Sequence, residues 1–143
     1  MSRHSDQTIA SLRLGAQLAQ SYLQEIHSRH VAPKPEALTE LRALDCELPM
    51  NPTAPTETLS LLDRAGSPAT VATTGGRFFG LVVGGALPAT VGSRVLNAAW
   101  DQLATTQDTS PVALQLERTA ARWLLELLQL PDNASVGYVS GTT

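Results

Sequence analysis

Apolar residues recur along the first thirty positions as Ile9, Leu12, Ala16, Ala19, Leu23 and Ile26, alternating steps of three and four. That period places them on one stripe of an α-helix, and the pattern predicts a helix from about Thr8 to His30, ending before Pro33. His27, Arg29 and His30 then sit in its last turn, where positive charge suits the helix dipole. Pro35 occupies a first helical position, and Leu38, Leu41 and Leu44 continue a short second helix. Pro49, Pro52 and Pro55 mark a connector. A third helix is expected from about Glu57 to Ala65, with Thr56 as its N-cap and Gly66 as its stop.

Two further helices are expected in the second half. Pro88 starts one that runs to about Leu103, with Val91, Val95, Ala99 and Leu103 on one face and Leu96 and Trp100 beside it. After a polar loop, Ser110 followed by Pro111 is a capping hydroxyl before a proline, a start signal for a helix to about Gln129. Its stripe is Ala113, Leu116, Ala120, Trp123, Leu124 and Leu127. Pro131, Asp132 and Asn133 make a turn, and Val136 to Val139 reads as a short buried strand.

Between these halves lies Gly75 to Pro88, GGRFFGLVVGGALP, which cannot be an ordinary surface helix. Each glycine would cost a helix roughly 1 kcal/mol relative to alanine, so the glycines serve close backbone approach or unusual dihedrals. Leu81 to Val83 is expected to be a short strand or an extended pass. The glycine spacing matches neither a dinucleotide fingerprint nor a phosphate-binding loop of the Gly-Lys-Ser/Thr type.

Composition narrows the function classes. The charged fraction is 16% and the net charge of −3 carries no basic block, which argues against nucleic acid as partner. The longest uncharged window, Phe78 to Ser93, is too short and too rich in glycine to span a bilayer, so no membrane role is expected. One cysteine, Cys46, makes no internal disulfide, and no signal-peptide pattern opens the chain; a cytoplasmic location is expected. His27 and His30 have no third ligand nearby in sequence, and no metal site is assigned.

Several pieces together resemble a known family. Phe78-Phe79 with Gly84-Gly85-Ala86-Leu87-Pro88, then Ala99-Trp100-Asp101-Gln102, Ser110-Pro111 with Glu117, Arg122-Trp123-Leu124, Leu130-Pro131 and finally Gly141-Thr142-Thr143 form the series. In order and spacing it resembles the amino-terminal third of the pyridoxal-phosphate-dependent amino-acid decarboxylases, the group with the aromatic-amino-acid, histidine and glutamate enzymes. The likeness is close from about Pro68 onward and looser over the first helices.

That resemblance implies a mainly α chain as it stands. It would be a truncated piece of an α/β, fold type I transferase-like enzyme with a helical amino-terminal extension. Residues 1–88 would be the subunit-wrapping arm and 89–143 the start of the cofactor domain. Gly141, Thr142 and Thr143 would hold the phosphate of pyridoxal 5'-phosphate, Gly84 and Gly85 would line the substrate side of the pocket, and Phe79 would pack there or in the core. The family reaction is decarboxylation of an amino-acid substrate, with the cofactor as electron sink.

The Schiff-base lysine, the ring-binding aspartate and the stacking histidine lie downstream of the Gly-Thr-Thr turn in that family, so no catalytic residue is assigned here. The one lysine, Lys34 between two prolines, reads as a solvated loop residue. A carboxylate on Thr143 would also repel the phosphate. The chain is therefore expected to be inactive alone. The expected partner is a complementing carboxy-terminal chain or a homologous subunit in a homodimer. From another class, the alternative is a non-catalytic helical interaction module. A third possibility is a stable helical monomer with only vestigial likeness to the family.

Overall fold

A computed structural model describes residues 3–81, 86–131 and 133–139. Its elements are α1 (Arg3–Glu25), α2 (Pro35–Glu40), α3 (Pro55–Gly66), α4 (Pro88–Trp100) and α5 (Pro111–Leu127), with 3-10 turns at Leu41–Leu44 and Ser67–Ala69. The chain divides into two compact units, Met1–Ala86 and Leu87–Thr143. No strand occurs among the described residues, so the chain is mainly α as expected. The strand expected at Val136 to Val139 is absent: that segment is irregular, because a short apolar run has no neighbouring strand to supply ladder hydrogen bonds. Val82 and Val83, in the other expected extended pass, lie outside the described residues.

In the first unit α1 ends at Glu25, five residues before the expected end. The Glu25 carbonyl accepts from Ser28 N (2.9 Å), Arg29 N (3.1 Å) and the Ser28 hydroxyl (2.8 Å). With the terminal carbonyl satisfied this way, the chain turns and Ile26 swings inward to 6% exposure. Its companions in the small core are Ala37, Ala65 and Ala72. α3 packs on α1 and on the 3-10 turns that follow α2 and α3.

Proline stands in the first turn of four of the helices, Pro111 in α5 among them. Pro35, Pro55 and Pro88 each sit in the first turn, where a missing N–H leaves no bond unmade. Thr56 is therefore not the cap of α3: Ala54 holds that position, without a side-chain bond. α3 does end at Gly66, as expected, and the chain continues directly into the Ser67–Ala69 turn.

In the second unit the helix-start signal at Ser110 is realised. The Ser110 hydroxyl accepts from Ala113 N at 3.4 Å and the residue is 1% exposed. The loop before it is organised by Thr109, whose hydroxyl donates to Leu103 O (2.8 Å) and accepts from Thr106 N (3.2 Å). α5 closes with Leu130 N on Leu125 O (2.9 Å) and Gln129 N on Glu126 O (3.1 Å), with Gln129 in the left-handed region at φ 53°. This is the paired termination motif that normally takes glycine.

Gln129→Gly should therefore raise stability by about 0.5–1 kcal/mol, because a side chain in the left-handed region costs on the order of 1 kcal/mol, offset in part by glycine's entropy. The check is a urea midpoint followed by tryptophan fluorescence, since Trp100 and Trp123 both lie in this unit. An unchanged or lower midpoint would contradict the strain argument.

The stripes are the main departure from expectation. On α1 the expected stripe is mostly outward: Ile9, Leu12 and Leu23 are 39%, 41% and 39% exposed, and the half-covered line is Leu14, Gly15, Leu18 and Tyr22. On α5, Leu116, Trp123 and Leu127 are exposed. The half-covered positions there include Leu114, Ala121 and Leu125 as well as Ala113 and Ala120 of the expected stripe. On α4 only Val91 is better than exposed. Each of these helices carries enough apolar residues for more than one face, and periodicity alone does not say which is covered.

Candidate functional site

The glycine-rich segment is joined to the end of α1 by three kinds of contact. Ala72 N donates to Val31 O (3.0 Å), Gly75 N to Ala72 O (3.1 Å) and Phe78 N to Gly75 O (3.1 Å), so the chain folds back in successive tight turns. A Cβ on Gly75 would stand 3.3 Å from Ala72 O and 3.4 Å from Ile26 O. Close backbone approach explains this glycine. Arg77 donates from Nη2 to the carbonyls of His27 (3.0 Å) and Arg29. Its fixed positive charge thus sits on carbonyl oxygens of the turn that follows α1.

Around the same corner, Arg29 lies over the Tyr22 ring, 4.4 Å from guanidinium carbon to ring centroid, and donates to Ser67 O. Tyr22 Oη meets Thr70 Oγ1 at 3.0 Å. Neither arginine reads as a tertiary anchor in the sequence. The only sequence signal is an arginine beside a paired glycine and a second arginine just past an amphipathic run.

The expected site residues are not brought together. Phe79 is 93% exposed, so no wall of described residues encloses its ring. Phe78 instead lies against the chain, its ring 3.2 Å from where a Gly80 Cβ would be. Gly84, Gly85, Gly141, Thr142 and Thr143 lie outside the described residues. Lys34 is exposed and lines an open cavity of about 220 Å³ with Arg29, His30, Pro68 and Thr70. Among the described residues no group of three or more His, Cys, Asp or Glu is placed to hold a metal. None of their helices is long and apolar enough to cross a membrane.

What the described residues offer instead is uncovered apolar surface. A groove of about 350 Å³ runs between α1 and α3, lined by Gly15, Leu18, Ala19, Tyr22, Leu59 and Leu62. In the second unit Leu96, Trp100, Leu103, Leu116, Trp123 and Leu127 are each at least half exposed. Tyr138 Oη donates to Glu117 O (3.0 Å) and ties the irregular tail to α5, yet leaves the Trp123 side open. No protein-family model matches the chain, and neither a curated protein nor a solved structure matches it.

Proposed function

We propose that this chain is the amino-terminal, subunit-wrapping and pocket-front part of a pyridoxal-phosphate-dependent amino-acid decarboxylase. Residues 1–143 act in it as a helical component, and the Schiff-base lysine is supplied from outside them. Support for the family comes from the order and spacing of the motifs from Pro68 to Thr143. Support for the component role comes from one observation above others: α4 and α5 present Leu96, Trp100, Leu116, Trp123 and Leu127 to solvent. Uncovered apolar helix faces of this kind mark an interface. A cytoplasmic location accords with this reading.

Within it, Gly141, Thr142 and Thr143 would bind the cofactor phosphate through N–H and hydroxyl groups, and Gly84 and Gly85 would allow the substrate close approach. The nearly bare Phe79 ring would meet its packing partners in the assembled enzyme. The cofactor, when bound, would supply the electron sink for loss of carbon dioxide.

The second reading, a helical module that pairs with a partner unrelated to amino-acid chemistry, rests on the same exposed faces without the motifs. One experiment separates them. The coding sequence beyond codon 143 is read in all three frames, and the chain is co-expressed with any segment there that carries a lysine in a Schiff-base context. The decarboxylase reading expects a soluble complex that retains pyridoxal phosphate through dialysis and releases carbon dioxide from an amino acid, neither of which the isolated chain does. A partner that solubilises the chain without cofactor or activity would leave the module reading alone. A monodisperse, stable monomer that needs no partner would contradict both.

A further inference from the structure

We propose that the cavity between the turn after α1 and the segment Ser67 to Thr70 binds a small phosphomonoester, held by Arg29, His30 and Lys34. This does not depend on the decarboxylase reading, which puts a phosphate on Gly141, Thr142 and Thr143 instead. The cavity holds about 220 Å³, and every titratable side chain in its wall is a base. No carboxylate lines it among the described residues, although the chain as a whole carries a net charge of −3. The local charge is therefore opposite to that of the molecule.

The wall is built on fixed backbone. Ala72 N donates to Val31 O at 3.0 Å and pins the connector that leads to Lys34. Lys34 stands between Pro33 and Pro35 with an extended backbone at φ −73° and ψ 152°, the region to which a residue before proline is confined. The one lysine of the chain thus hangs from a preset position. Arg29 is held by Ser67 O and by the Tyr22 ring 4.4 Å away, and its side chain is 18% exposed. Thr70 closes the wall without binding: its hydroxyl donates to Ser67 O (2.8 Å), and its 3.0 Å contact with Tyr22 Oη uses the tyrosine hydrogen. Recognition falls to the three bases. The side chains of His30 and Lys34 have no hydrogen-bond or ion-pair partner among the described residues.

Donors on three separate side chains suit a tetrahedral anion better than a flat one. A carboxylate is held best by a whole guanidinium edge, and Arg29 already has Nη2 on Ser67 O and Nη1 facing Glu25 at 3.9 Å. A phosphomonoester carries about −1.5 to −2 charges at neutral pH on three oxygens that point apart, one for each base. His30 can donate an N–H to it in either protonation state. Glu25 stands outside the wall with its carboxylate 68% exposed, where water screens it. Ala32, Pro33, Ala37 and Pro68 complete the lining with small apolar surface, which accepts a short carbon body. The volume is below the range of about 300–1,000 Å³ for drug-sized ligands, so the class is a compact phosphomonoester and not a nucleotide.

The test is a titration of the isotope-labelled full chain with inorganic phosphate and with glycerol 3-phosphate, read by amide NMR at neutral pH in about 0.1 M sodium chloride, where loose surface attraction is largely screened. Both should give saturable shifts in the millimolar range at Arg29, His30, Lys34 and Thr70, with glycerol 3-phosphate at least as tight. Lys34→Gln should weaken binding by about tenfold or more, the loss of one charged hydrogen bond, and Lys34→Gln combined with His30→Ala should remove it. Arg13→Gln, at an exposed cation elsewhere on α1, should change nothing. Arg29 is left intact because it also holds the corner together, and circular dichroism shows that each variant keeps its helices.

Four results would overturn the proposal. The first is the absence of a saturable shift at these amides, including the case in which phosphate shifts only residues outside this wall, such as Gly141 to Thr143. The second is full affinity in Lys34→Gln. The third is acetate giving the same shifts with the same midpoint, which would make the cavity a reader of charge alone. The fourth is binding of inorganic phosphate with exclusion of glycerol 3-phosphate, which would leave no room for the carbon body.

Discussion

Ile26→Ala is expected to destabilise the first unit by about 3 kcal/mol, within the range for deleting a buried isoleucine's outer carbons. Among the described residues Ile26 is the one large side chain in a core otherwise made of Ala37, Ala65 and Ala72. Alanines cannot collapse far into the space it leaves. Its backbone is committed as well: Ile26 O lies 3.4 Å from where a Gly75 Cβ would stand, so the glycine turn rests on this residue. For a unit of this size, 3 kcal/mol corresponds to a melting shift of roughly 15 °C. The measurement is amide hydrogen exchange along α1, which should speed up together with the amides of Ala72 and Gly75. Leu48→Ala is the control, because Leu48 is 88% exposed and such a change should stay within about 0.5 kcal/mol. If the two variants cost the same, Ile26 is not the core residue described here.

The second large effect is expected from Arg29→Ala, at about 2–3 kcal/mol. Its side chain is 18% exposed, and the guanidinium donates to Ser67 O and lies over the Tyr22 ring at 4.4 Å. A hydrogen bond from a charged group contributes about 1.5–3 kcal/mol, and a partly desolvated cation on an aromatic face adds about 1 kcal/mol. The 3.9 Å pairing with Glu25 adds little, because that carboxylate is 68% exposed. Arg29→Lys keeps the charge but loses the flat face that stacks, so it should recover only part of the loss. A double-mutant cycle with Tyr22→Leu should return a coupling near 1 kcal/mol. A coupling of zero would mean that the stacking contributes nothing and that the Ser67 contact accounts for the whole effect.

Both predictions concern the corner where α1 meets the Gly75 segment, and this corner was only half legible in the sequence. The glycine-rich stretch stood out as needing close approach, and Gly75 meets that expectation through Ala72 O and Ile26 O. That Arg77 would reach across to the carbonyls of His27 and Arg29 was not legible. An arginine in a loop carries no mark of which distant carbonyls it will find. Helix starts were legible because proline and a capping serine act within one turn. Helix ends were less so: α1 stops at Glu25 because of Ser28 and of tertiary partners fifty residues away.

Of the candidate site, Phe79 alone lies among the described residues, and it is bare. The periods of three and four placed Leu12 and Leu23, or Leu116 and Trp123, correctly on common helix faces, yet those faces point outward. By itself the sequence determined that the chain is a series of helices, where most of them begin, and which residues share a face, since these follow from backbone chemistry and a period of 3.6. Only the tertiary structure decided that Leu14, Leu18 and Tyr22 form the partly covered line of α1, that Ile26 leaves its stripe for the core, and that residues 136–139 form no strand. Coverage and strand pairing depend on a second surface far away in the chain, and a periodic pattern holds information about one surface at a time.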